Sequence, residues 1–339
     1  MVKKLLKKPY YSLAAIIGRH NFSFRNNNLL ILTYHRVLPD TDERAEFEQP
    51  GMMVTPQTLL RNIKYLKNRF EIMMLGDWIE LLRNNIKMPK YTCAITFDDG
   101  WRDNYEYAYP VLKDLNVPAT VFLVSDYINS NHDFWPGRLT RLVRNITMNK
   151  KNNIWKEQIF NNFRLLDLSF NLEEGINTRE QINELINKFK QNPDKENFDY
   201  IDEIYKDLDL KPDENRVLLN DNEIREMVKS GLIEIGSHTR SHMRMHDSLT
   251  REDIDNEIRI SKIHLQEKFN TRVRMFCYPN GDTTEKAIAA VRKNYIGACG
   301  TKPGWNTPDS DAHLLKRINM HEDMAGSMLN FKAKISGWL

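Results

Sequence analysis

Apolar segments of strand length alternate with amphipathic helical segments along most of this chain. Continuous apolar runs lie at 29–34, 92–97 and 119–124, and helical patterns separate them. Runs that are apolar at every position are typical of parallel strands covered by helices on both faces. The repeated order of strand and helix therefore predicts an α/β fold with parallel strands and helical crossovers. In such sheets and barrels, functional groups lie where strands end and loops begin.

The rest of the chain extends this pattern and interrupts it once. Further strands are expected at 72–75, 232–236, 273–278, 295–299 and 314–319, and helices at 55–70, 76–84, 105–115, 220–228, 250–269 and 284–294. Residues 131–216 are rich in Asn, Lys, Glu and Asp with amphipathic helical spacing. Because long structureless loops are uncommon in compact domains, this stretch is expected to be a folded helical insert. Trp135 near its start fits either stacking on a sugar or anchoring of the insert to the body of the protein.

Composition excludes several classes of protein. With 339 residues, 28% of them charged and 41% hydrophobic, the chain has the composition of a folded globular protein. The net charge of only +3 gives no reason to expect a nucleic acid partner. Cys93, Cys277 and Cys299 lack CxxC spacing, which argues against a disulfide framework or a cysteine-rich zinc site. This cysteine usage fits a reducing compartment.

Residues 1–28 are a basic N-terminal lead, in which Lys3, Lys4, Lys7 and Lys8 precede a short apolar run. The run is too short to span a bilayer, and no small-residue cleavage site follows it. Two interpretations stay open for the lead: peripheral contact with an anionic membrane surface, or the frayed start of the first helix. The expected location is the cytoplasm, at the inner face of the membrane.

Two adjacent carboxylates, Asp98 and Asp99, close the apolar run at 92–97, and Gly100 follows them. Carboxylates repel each other and are costly to bury without partners, so a pair in this place needs a cause. A glycine lets the backbone turn sharply, so that both side chains can face one site. Taken alone, the stretch also fits a solvated turn.

A histidine pair, His238 and His242, follows the expected strand at 232–236. On a helical turn this spacing puts both rings on one face, close enough to share a metal ion. Because parallel strands end at one face, the aspartates and histidines are expected to meet there. One carboxylate and two imidazoles suit zinc and its neighbours, while the second carboxylate can take a proton from water. His246 repeats the spacing from His242, which we interpret as accidental.

Three segments resemble the first three motifs of polysaccharide deacetylases of the NodB-homology type. They are Thr96-Phe97-Asp98-Asp99-Gly100, Ser237-His238-Thr239-Arg240-Ser241-His242 and Phe276-Cys277-Tyr278-Pro279-Asn280-Gly281. The segments 32–37 and 315–319 are similar to strands near the start and end of many bacterial members. The resemblance covers residues 29–130 and 217–335 and leaves the insert outside it.

The resemblance implies a distorted (β/α)7-type barrel at 29–339, interrupted by the helical insert at 131–216. It also implies a divalent metal cofactor, with zinc expected, and an acetylated glycan or glycan precursor as substrate. The site roles that it implies are Asp98 as catalytic base, Asp99, His238 and His242 as metal ligands, and Asn280 as a backbone oxyanion donor.

The chain departs from the family pattern around these residues. Cys277 stands where many members have an arginine that orients the base, and Arg317 is the expected substitute in preference to Arg274. The late acid motif is not cleanly present, so the general acid is His321 or His35, with His321 preferred. Residues expected to contact the substrate are His35, Tyr278, Trp135 and Trp305, the last as a remnant of the fourth motif.

Three functional hypotheses follow. The leading one is metal-dependent removal of an acetyl group, most simply an N-acetyl group, from a glycan or its precursor. The absent arginine and acid motif motivate a second hypothesis, a glycan-binding protein on the same fold without turnover. A third keeps the metal chemistry but acts on small cyclic amides, as superfamily relatives do.

Overall fold

The computed structural model describes residues 7–21, 27–46, 48–49, 51–131, 133–148, 179–207, 210 and 216–338. The chain divides into two compact units. The larger unit comprises Met1–Pro39, Gly51–Ser130 and Val217–Leu339, and the smaller one comprises Asp40–Pro50 and Asn131–Arg216.

The larger unit is built on a curled sheet of parallel strands. The strands are β1 Asn28–Tyr34, β2 Arg36–Val37, β3 Met53–Val54, β4 Glu71–Ile72, β5 Tyr91–Phe97, β6 Ala119–Leu123, β7 Ile233–Ser237, β8 Met275–Cys277, β9 Gly297–Cys299 and β10 Ile318–Asn319. Around the sheet their order is β10-β1-β5-β6-β7-β8-β9, with β4 beside β5, while β2 and β3 form a separate parallel pair. The predicted parallel α/β architecture is confirmed.

The stretch that leads into β10 joins the two edges of the sheet. Leu315 forms a parallel bridge with Cys299 of β9, and Ile318 pairs with Leu32 of β1. The same short segment therefore hydrogen-bonds to both edges, which makes the sheet a distorted seven-stranded barrel of the predicted (β/α)7 type. Arg317 lies between these two pairings.

The register between β1 and β5 aligns the ends of both strands. The two strands pair over their full lengths, with Thr33 opposite Thr96 and Tyr34 opposite Phe97. Both are apolar runs with almost every residue buried, as strands covered on both faces require. The residues that follow, His35 and Asp98, therefore emerge side by side at the carboxyl end of the barrel.

Helices connect and flank the strands. They span Lys7–Ile17, Glu43–Glu46, Pro56–Lys67, Leu75–Arg83, Tyr109–Leu115, Trp135–Met148, Arg179–Phe189, Asp194–Asp207, Asp221–Lys229, Arg251–Asp255, Ser261–Phe269, Glu285–Asn294, Glu322–Ala325 and Met328–Lys334. Single π-helical turns lie at Asn104–Ala108 and Asn256–Ile260. Asn220 and Glu223 form a reciprocal capping box at the start of the helix Asp221–Lys229, which the sequence predicts at 220–228.

Several predicted strands are shorter in the structure. The strand expected at 72–75 ends at Ile72, and Leu75 is instead the first residue of a helix. The strands expected at 273–278 and 314–319 shrink to three and two residues, respectively. Their apolar residues are buried all the same, and burial alone does not distinguish a short strand from its buried flanks.

The N-terminal helix, Lys7–Ile17, packs on the C-terminal helix Met328–Lys334. Ala14 and Ala15 contact Ala333, all three of them buried. Two further hydrogen bonds tie these ends together, from Arg19 N to Ser336 O at 3.0 Å and from Tyr10 Oη to Trp338 O at 3.0 Å. Within the described part of the chain, the helices are all too short or too polar to cross a bilayer.

The smaller unit has a hydrophobic core of its own, built by the helices Trp135–Met148, Arg179–Phe189 and Asp194–Asp207. Trp135 is buried in this core, where its ring stacks on Phe189 at 6.0 Å. Its indole Nε1–H donates to Asp194 at 2.8 Å. The predicted sugar-stacking role of Trp135 is therefore wrong. These contacts hold the helices of the insert to one another, and the predicted anchoring of the insert to the body of the protein stays a prediction.

Candidate active site

Asp98 and Arg317 form the most buried ion pair at the carboxyl end of the barrel. The guanidinium donates from Nη1 to Asp98 Oδ1 and from Nη2 to Asp98 Oδ2, both at 2.7 Å. The two residues are only 2% and 3% exposed. Burial opposes ionisation of Asp98, but the charge and hydrogen bonds of Arg317 outweigh it and hold the pKa of the carboxyl below its usual value. Asp98 is thus kept as a carboxylate.

The Cys277 side chain contacts both members of this ion pair. Its Sγ accepts from Arg317 Nη2 at 3.0 Å and lies 3.5 Å from Asp98 Oδ2, which accepts from the thiol. Arg317 is further fixed by donating to Gly300 O at 3.0 Å and to Thr96 Oγ1 at 3.3 Å. Arg317, which lies in the segment that joins the two edges of the sheet, thus orients the Asp98 carboxylate. The shorter side chain of Cys277 cannot make this two-pronged contact.

Asp99 faces the two histidines of the second motif. Its Oδ1 lies 3.3 Å from His238 Nε2 and 3.4 Å from His242 Nε2. Asp99 has a φ of +76°, a left-handed conformation that is rare for a residue with a side chain. Gly100 follows with the same φ, and a Cβ there would meet Leu123 Cδ2 at 2.9 Å. This double turn directs two consecutive carboxylates into one site.

The histidine pair is brought together by a loop and not by a helical turn. Residues after Ser237 leave β7 without helical structure, and Thr239 and His242 have φ values of +68° and +62°. The predicted helical geometry is therefore wrong, although the rings do meet, with centroids 5.0 Å apart. Glu257 holds the loop by accepting from Arg240 N, Ser241 N and Ser241 Oγ at 3.0, 2.9 and 2.8 Å.

A buried chain of side chains fixes the orientation of Asp99. Trp101 Nε1 donates to Asp99 Oδ2 at 2.9 Å, which leaves Oδ1 to the histidines. Arg36 lies 4.3 Å from the Trp101 ring and pairs with Asp103, whose other oxygen accepts from Val37 N at 2.7 Å. Sequence reasoning missed this chain; its one signal was that Trp101 and Asp103 directly follow the aspartate–glycine turn.

The chemistry of these residues fits a divalent metal ion. Among the described residues, two groups of three ligand-type side chains have ligand atoms within 4.8 Å of one another: Asp99, His238 and His242, and Asp98, His238 and Cys277. The first group fits better, since Asp98 and Cys277 are already engaged by Arg317. His238 Nδ1 lies 2.8 Å from Cys277 O and donates to it, so Nε2 is directed at Asp99, and in the neutral ring this nitrogen would offer its lone pair to a metal ion.

The electrostatics of this group favour a bound cation. Burial opposes ionisation of Asp99, but hydrogen bonds from His238 and His242 keep the pKa of Asp99 well below its usual value. Burial also opposes protonation of His238, but Cys277 and Asp99 outweigh it and raise the pKa of His238 well above its usual value. The buried carboxylate thus draws positive charge to its Oδ1 side, which is the side where a divalent ion would bind.

Of the two predicted acid residues, the structure places His35 beside Asp98. His35 Nε2 lies 3.9 Å from Asp98 Oδ2, with the side chain 20% exposed. The preferred candidate, His321, begins the short helix Glu322–Ala325, and its Nδ1 faces Asp323 Oδ2 at 3.8 Å. The contacts therefore favour His35 over His321, which reverses the order of preference.

Two residues predicted to contact the substrate lie in the barrel core. Trp305 is buried, packs against Phe70 and donates from Nε1 to Ile335 O at 3.0 Å. The Tyr278 ring is fully buried against Phe276, on the opposite side of the strand from Cys277. Their predicted role in substrate contact is wrong, because both rings are buried in the hydrophobic core. For Tyr278 this follows from alternation along the chain, since consecutive side chains of an extended segment point to opposite faces.

Asn280 lies in the tight turn Pro279–Gly281 that follows β8. It has a φ of +56°, its side chain donates to Asp282 at 3.1 Å, and its carbonyl accepts from the Thr301 hydroxyl at 3.3 Å. These contacts fix the turn at the end of β8, where a backbone N–H donor is expected.

Arg274 lies in a different buried network. It pairs with Glu234 and Asp77, and Glu234 also accepts from Gly76 N and Thr120 Oγ1. Burial raises the pKa of Glu234, even though Arg274 opposes this shift. This arginine is not in contact with Asp98, in agreement with its exclusion from the site in the sequence analysis.

Comparison with known proteins supports this description. The family model for polysaccharide deacetylase matches residues 85–153 and 199–297. The Bacillus subtilis protein YxkH, named as a polysaccharide deacetylase, is 22% identical over 304 residues, which are 88% of this chain and 74% of that protein. The poly-β-1,6-N-acetyl-D-glucosamine N-deacetylase of Staphylococcus epidermidis is 32% identical over 118 residues, but these cover only 32% of this chain and 40% of the relative.

Solved structures show the same fold. The Streptococcus pyogenes deacetylase PplD aligns with a TM-score of 0.58 at 17% identity, covering 92% of this chain and 99% of that one. IcaB from Ammonifex degensii also has a TM-score of 0.58 at 17% identity, with coverage of 90% and 97%. With the motif residues gathered at one end of the barrel and the family model matched across them, the chain belongs to the polysaccharide deacetylase family and is a hydrolase of that type.

Proposed function

We propose that this protein removes N-acetyl groups from a polysaccharide that contains N-acetylglucosamine, with Asp98 as general base. The observation that carries the proposal is the buried carboxylate of Asp98, kept ionised by Arg317 beside the group Asp99, His238 and His242. The staphylococcal relative is named for deacetylation of a β-1,6-linked polymer of N-acetylglucosamine. That name supports the same class of substrate here.

The proposed cofactor is a divalent metal ion, with zinc as the expected metal. Asp99, His238 and His242 would hold it, and their one carboxylate oxygen and two imidazole nitrogens are donors that zinc accepts. Such an ion lowers the pKa of water and polarises the acetyl carbonyl. Trp101 and the Cys277 carbonyl would orient two of these ligands.

Asp98 supplies the base chemistry. Its carboxylate would take a proton from the water whose oxygen attacks the acetyl carbon. Arg317 holds both carboxylate oxygens in place, so that the base needs no reorganisation during the reaction. The negative charge that develops on the acetyl oxygen would be met by the backbone N–H of Asn280, in the turn after β8.

His35 is the proposed acid. As the C–N bond breaks, the amine nitrogen must gain a proton, and the products are acetate and a free amino sugar. His35 Nε2 lies close enough to Asp98 to act on the same substrate, and its side chain is partly exposed. A positioned acid or base typically accelerates such a step by about 10²- to 10⁴-fold.

The test is release of acetate from β-1,6-linked N-acetylglucosamine oligomers. We expect turnover by the native protein, loss after treatment with a chelator, and recovery with Zn²⁺. The variant Asp98→Asn should lose activity by about 10²- to 10⁴-fold. The exposed Asp114→Asn on the helix Tyr109–Leu115 should leave activity unchanged.

The outcome also separates the alternative hypotheses. Full activity of Asp98→Asn would contradict the assignment of the base. Stoichiometric metal binding without turnover of any acetylated sugar would favour a glycan-binding protein, and turnover of cyclic amides alone would favour the third hypothesis. One reason for the glycan-binding hypothesis was that Cys277 replaces the arginine of the third motif. That reason is weaker, since Arg317 makes the arginine contact with Asp98.

A further inference from the structure

The two ends of the described chain carry most of its exposed apolar side chains. Among the described residues, eight large hydrophobic side chains are exposed, and five of them lie in the N-terminal helix and the C-terminal segment. These five are Tyr10 (45% exposed), Leu13 (49%), Ile16 (64%), Leu329 (42%) and Trp338 (46%). We call this group the terminal apolar patch.

The patch is carried by two terminal segments that pack on each other. Tyr10, Leu13 and Ile16 recur every three residues, which places them along one side of the helix Lys7–Ile17. Ala14 and Ala15, on the other side of that helix, are buried against Ala333. The hydrogen bond from Tyr10 Oη to Trp338 O joins the two ends of the patch. The exposed side chains therefore sit on a fixed surface.

The two sequence segments that carry the patch contain charged residues of one sign only. Residues 1–19 and 328–338 contain seven lysines and arginines and no aspartate or glutamate. The chain as a whole has 49 basic and 46 acidic residues, so the part outside these two segments is net acidic. The basic residues are Lys3, Lys4, Lys7, Lys8, Arg19, Lys332 and Lys334.

We propose that the terminal apolar patch docks on the surface of an anionic phospholipid bilayer. An interfacial helix needs an apolar face together with basic residues, and binding increases with both. Tyrosine and tryptophan have the amphipathic rings that lie at the level of lipid headgroups, and the patch has one at each end. Basic residues attract a protein to anionic lipid, so the basic composition of the segments that carry the patch favours a negatively charged surface.

The consequence for the proposed reaction is local concentration of the enzyme at a membrane where envelope glycans are made or displayed. The docking itself involves no residue of the active site. Membrane docking is therefore independent of the proposed deacetylase activity, and the experiment measures binding alone.

The experiment is co-sedimentation of the full chain with vesicles. We expect binding to vesicles of phosphatidylglycerol and phosphatidylcholine, and at least about tenfold weaker binding to pure phosphatidylcholine. The double variant Leu13→Asp/Ile16→Asp should weaken binding by at least about tenfold because it places charge in the apolar layer. The double variant Lys7→Glu/Lys8→Glu should weaken it by a similar factor.

Matched controls come from another exposed site. Ile86 is 52% exposed, and Lys87 and Lys90 are exposed beside it. The variants Ile86→Asp and Lys87→Glu/Lys90→Glu should leave vesicle binding unchanged. Circular dichroism checks that each variant is folded, and a single conservative variant, Ile16→Ser, gives a milder test if the double variant unfolds.

Three results would overturn the proposal. The first is native protein that does not bind anionic vesicles. The second is binding that the control variants weaken as much as the patch variants do. The third is a dimer in sedimentation velocity that Leu13→Asp/Ile16→Asp dissociates, since the patch would then be covered by a second copy of the chain.

Discussion

Arg317 donates two parallel hydrogen bonds to Asp98, each 2.7 Å long, from a position 219 residues further along the chain. Arg317 lies in the segment that bridges β9 and β1, so the same residues that close the barrel also hold the proposed base. At the position on β8 where the family resemblance leads one to expect an arginine stands Cys277, and Arg317 from the segment that closes the barrel contacts Asp98. Barrel closure thus positions the guanidinium that holds the pKa of Asp98 below its usual value.

Replacement of Arg317 by methionine should destabilise the protein strongly. The variant leaves the Asp98 carboxylate buried without its partner, which costs about 3–5 kcal/mol in the free energy of unfolding. Urea unfolding measures this loss. The double variant Asp98→Asn/Arg317→Met should recover most of it, because no charge is then left unpaired. Equal stability of the single and double variants would show that the pair does not act in this way.

His242 should be needed for metal binding, and His246 should not. The two residues share the same spacing in sequence, but only His242 has its ring against Asp99. We expect the metal content of purified His242→Ala to fall at least about tenfold, while His246→Ala keeps the native stoichiometry. Elemental analysis of the dialysed proteins provides the measurement, and a metal-depleted His246→Ala with metal-replete His242→Ala would refute the assignment.

Trp101 should tune the metal affinity without contacting the metal. The variant Trp101→Phe keeps the ring beneath Arg36 but removes the donor to Asp99 Oδ2. Loss of such an outer contact typically lowers metal affinity by about 10- to 100-fold. Competition with a chromophoric chelator measures the affinity directly. Trp135→Phe in the smaller unit is the control, and an unchanged affinity in Trp101→Phe would contradict the role.

His35 and His321 can be distinguished by parallel substitution to glutamine. Because only His35 approaches Asp98, we expect His35→Gln to lower kcat by about 10²- to 10⁴-fold. His321→Gln should retain most of the activity, with any effect confined to stability. A larger loss in His321→Gln than in His35→Gln would restore the order of preference derived from the sequence.

His20 should make stability depend on pH in mildly acidic solution. Burial lowers the pKa of His20 from 6.5 to about 4, although its hydrogen bond with Ala15 O opposes this shift. The unfolded chain therefore binds more protons than the folded one between these values. The contribution is complete above pH 6.5 and is lost as pH falls towards 4, and after allowance for solvent screening it amounts to about 1–3 kcal/mol.

Chemical unfolding at several pH values provides the measurement for His20. The variant His20→Gln cannot titrate, so its stability should fall less than that of the native protein between pH 6.5 and 4. His264→Gln, with its side chain 48% exposed, is the matched control and should keep the native slope. An unchanged slope in His20→Gln would show that another group causes the acid sensitivity.

The amino-acid sequence by itself determined the parallel α/β architecture, and its motifs pointed to the central residues and, through the family resemblance, to a barrel. The strands β1 and β5 are mostly apolar and almost fully buried, and the aspartates and the histidine pair follow strand ends, so parallel order alone predicts that they meet. The helix starts were also readable, because Thr55 and Asn220 cap their helices through local hydrogen bonds. These features depend on neighbours within a few residues or on strand direction.

Only the tertiary structure decided the surroundings of the site. Arg317 reaches Asp98 because barrel closure sets its register, Trp101 reaches Asp99 through a double left-handed turn, and the histidine rings meet through a loop. The predicted roles of the aromatic residues were wrong for the same reason. Trp135 and Trp305 are buried by packing, and a sequence does not show which side of an element faces the core. Contacts between distant segments depend on register and closure, which local patterns do not contain.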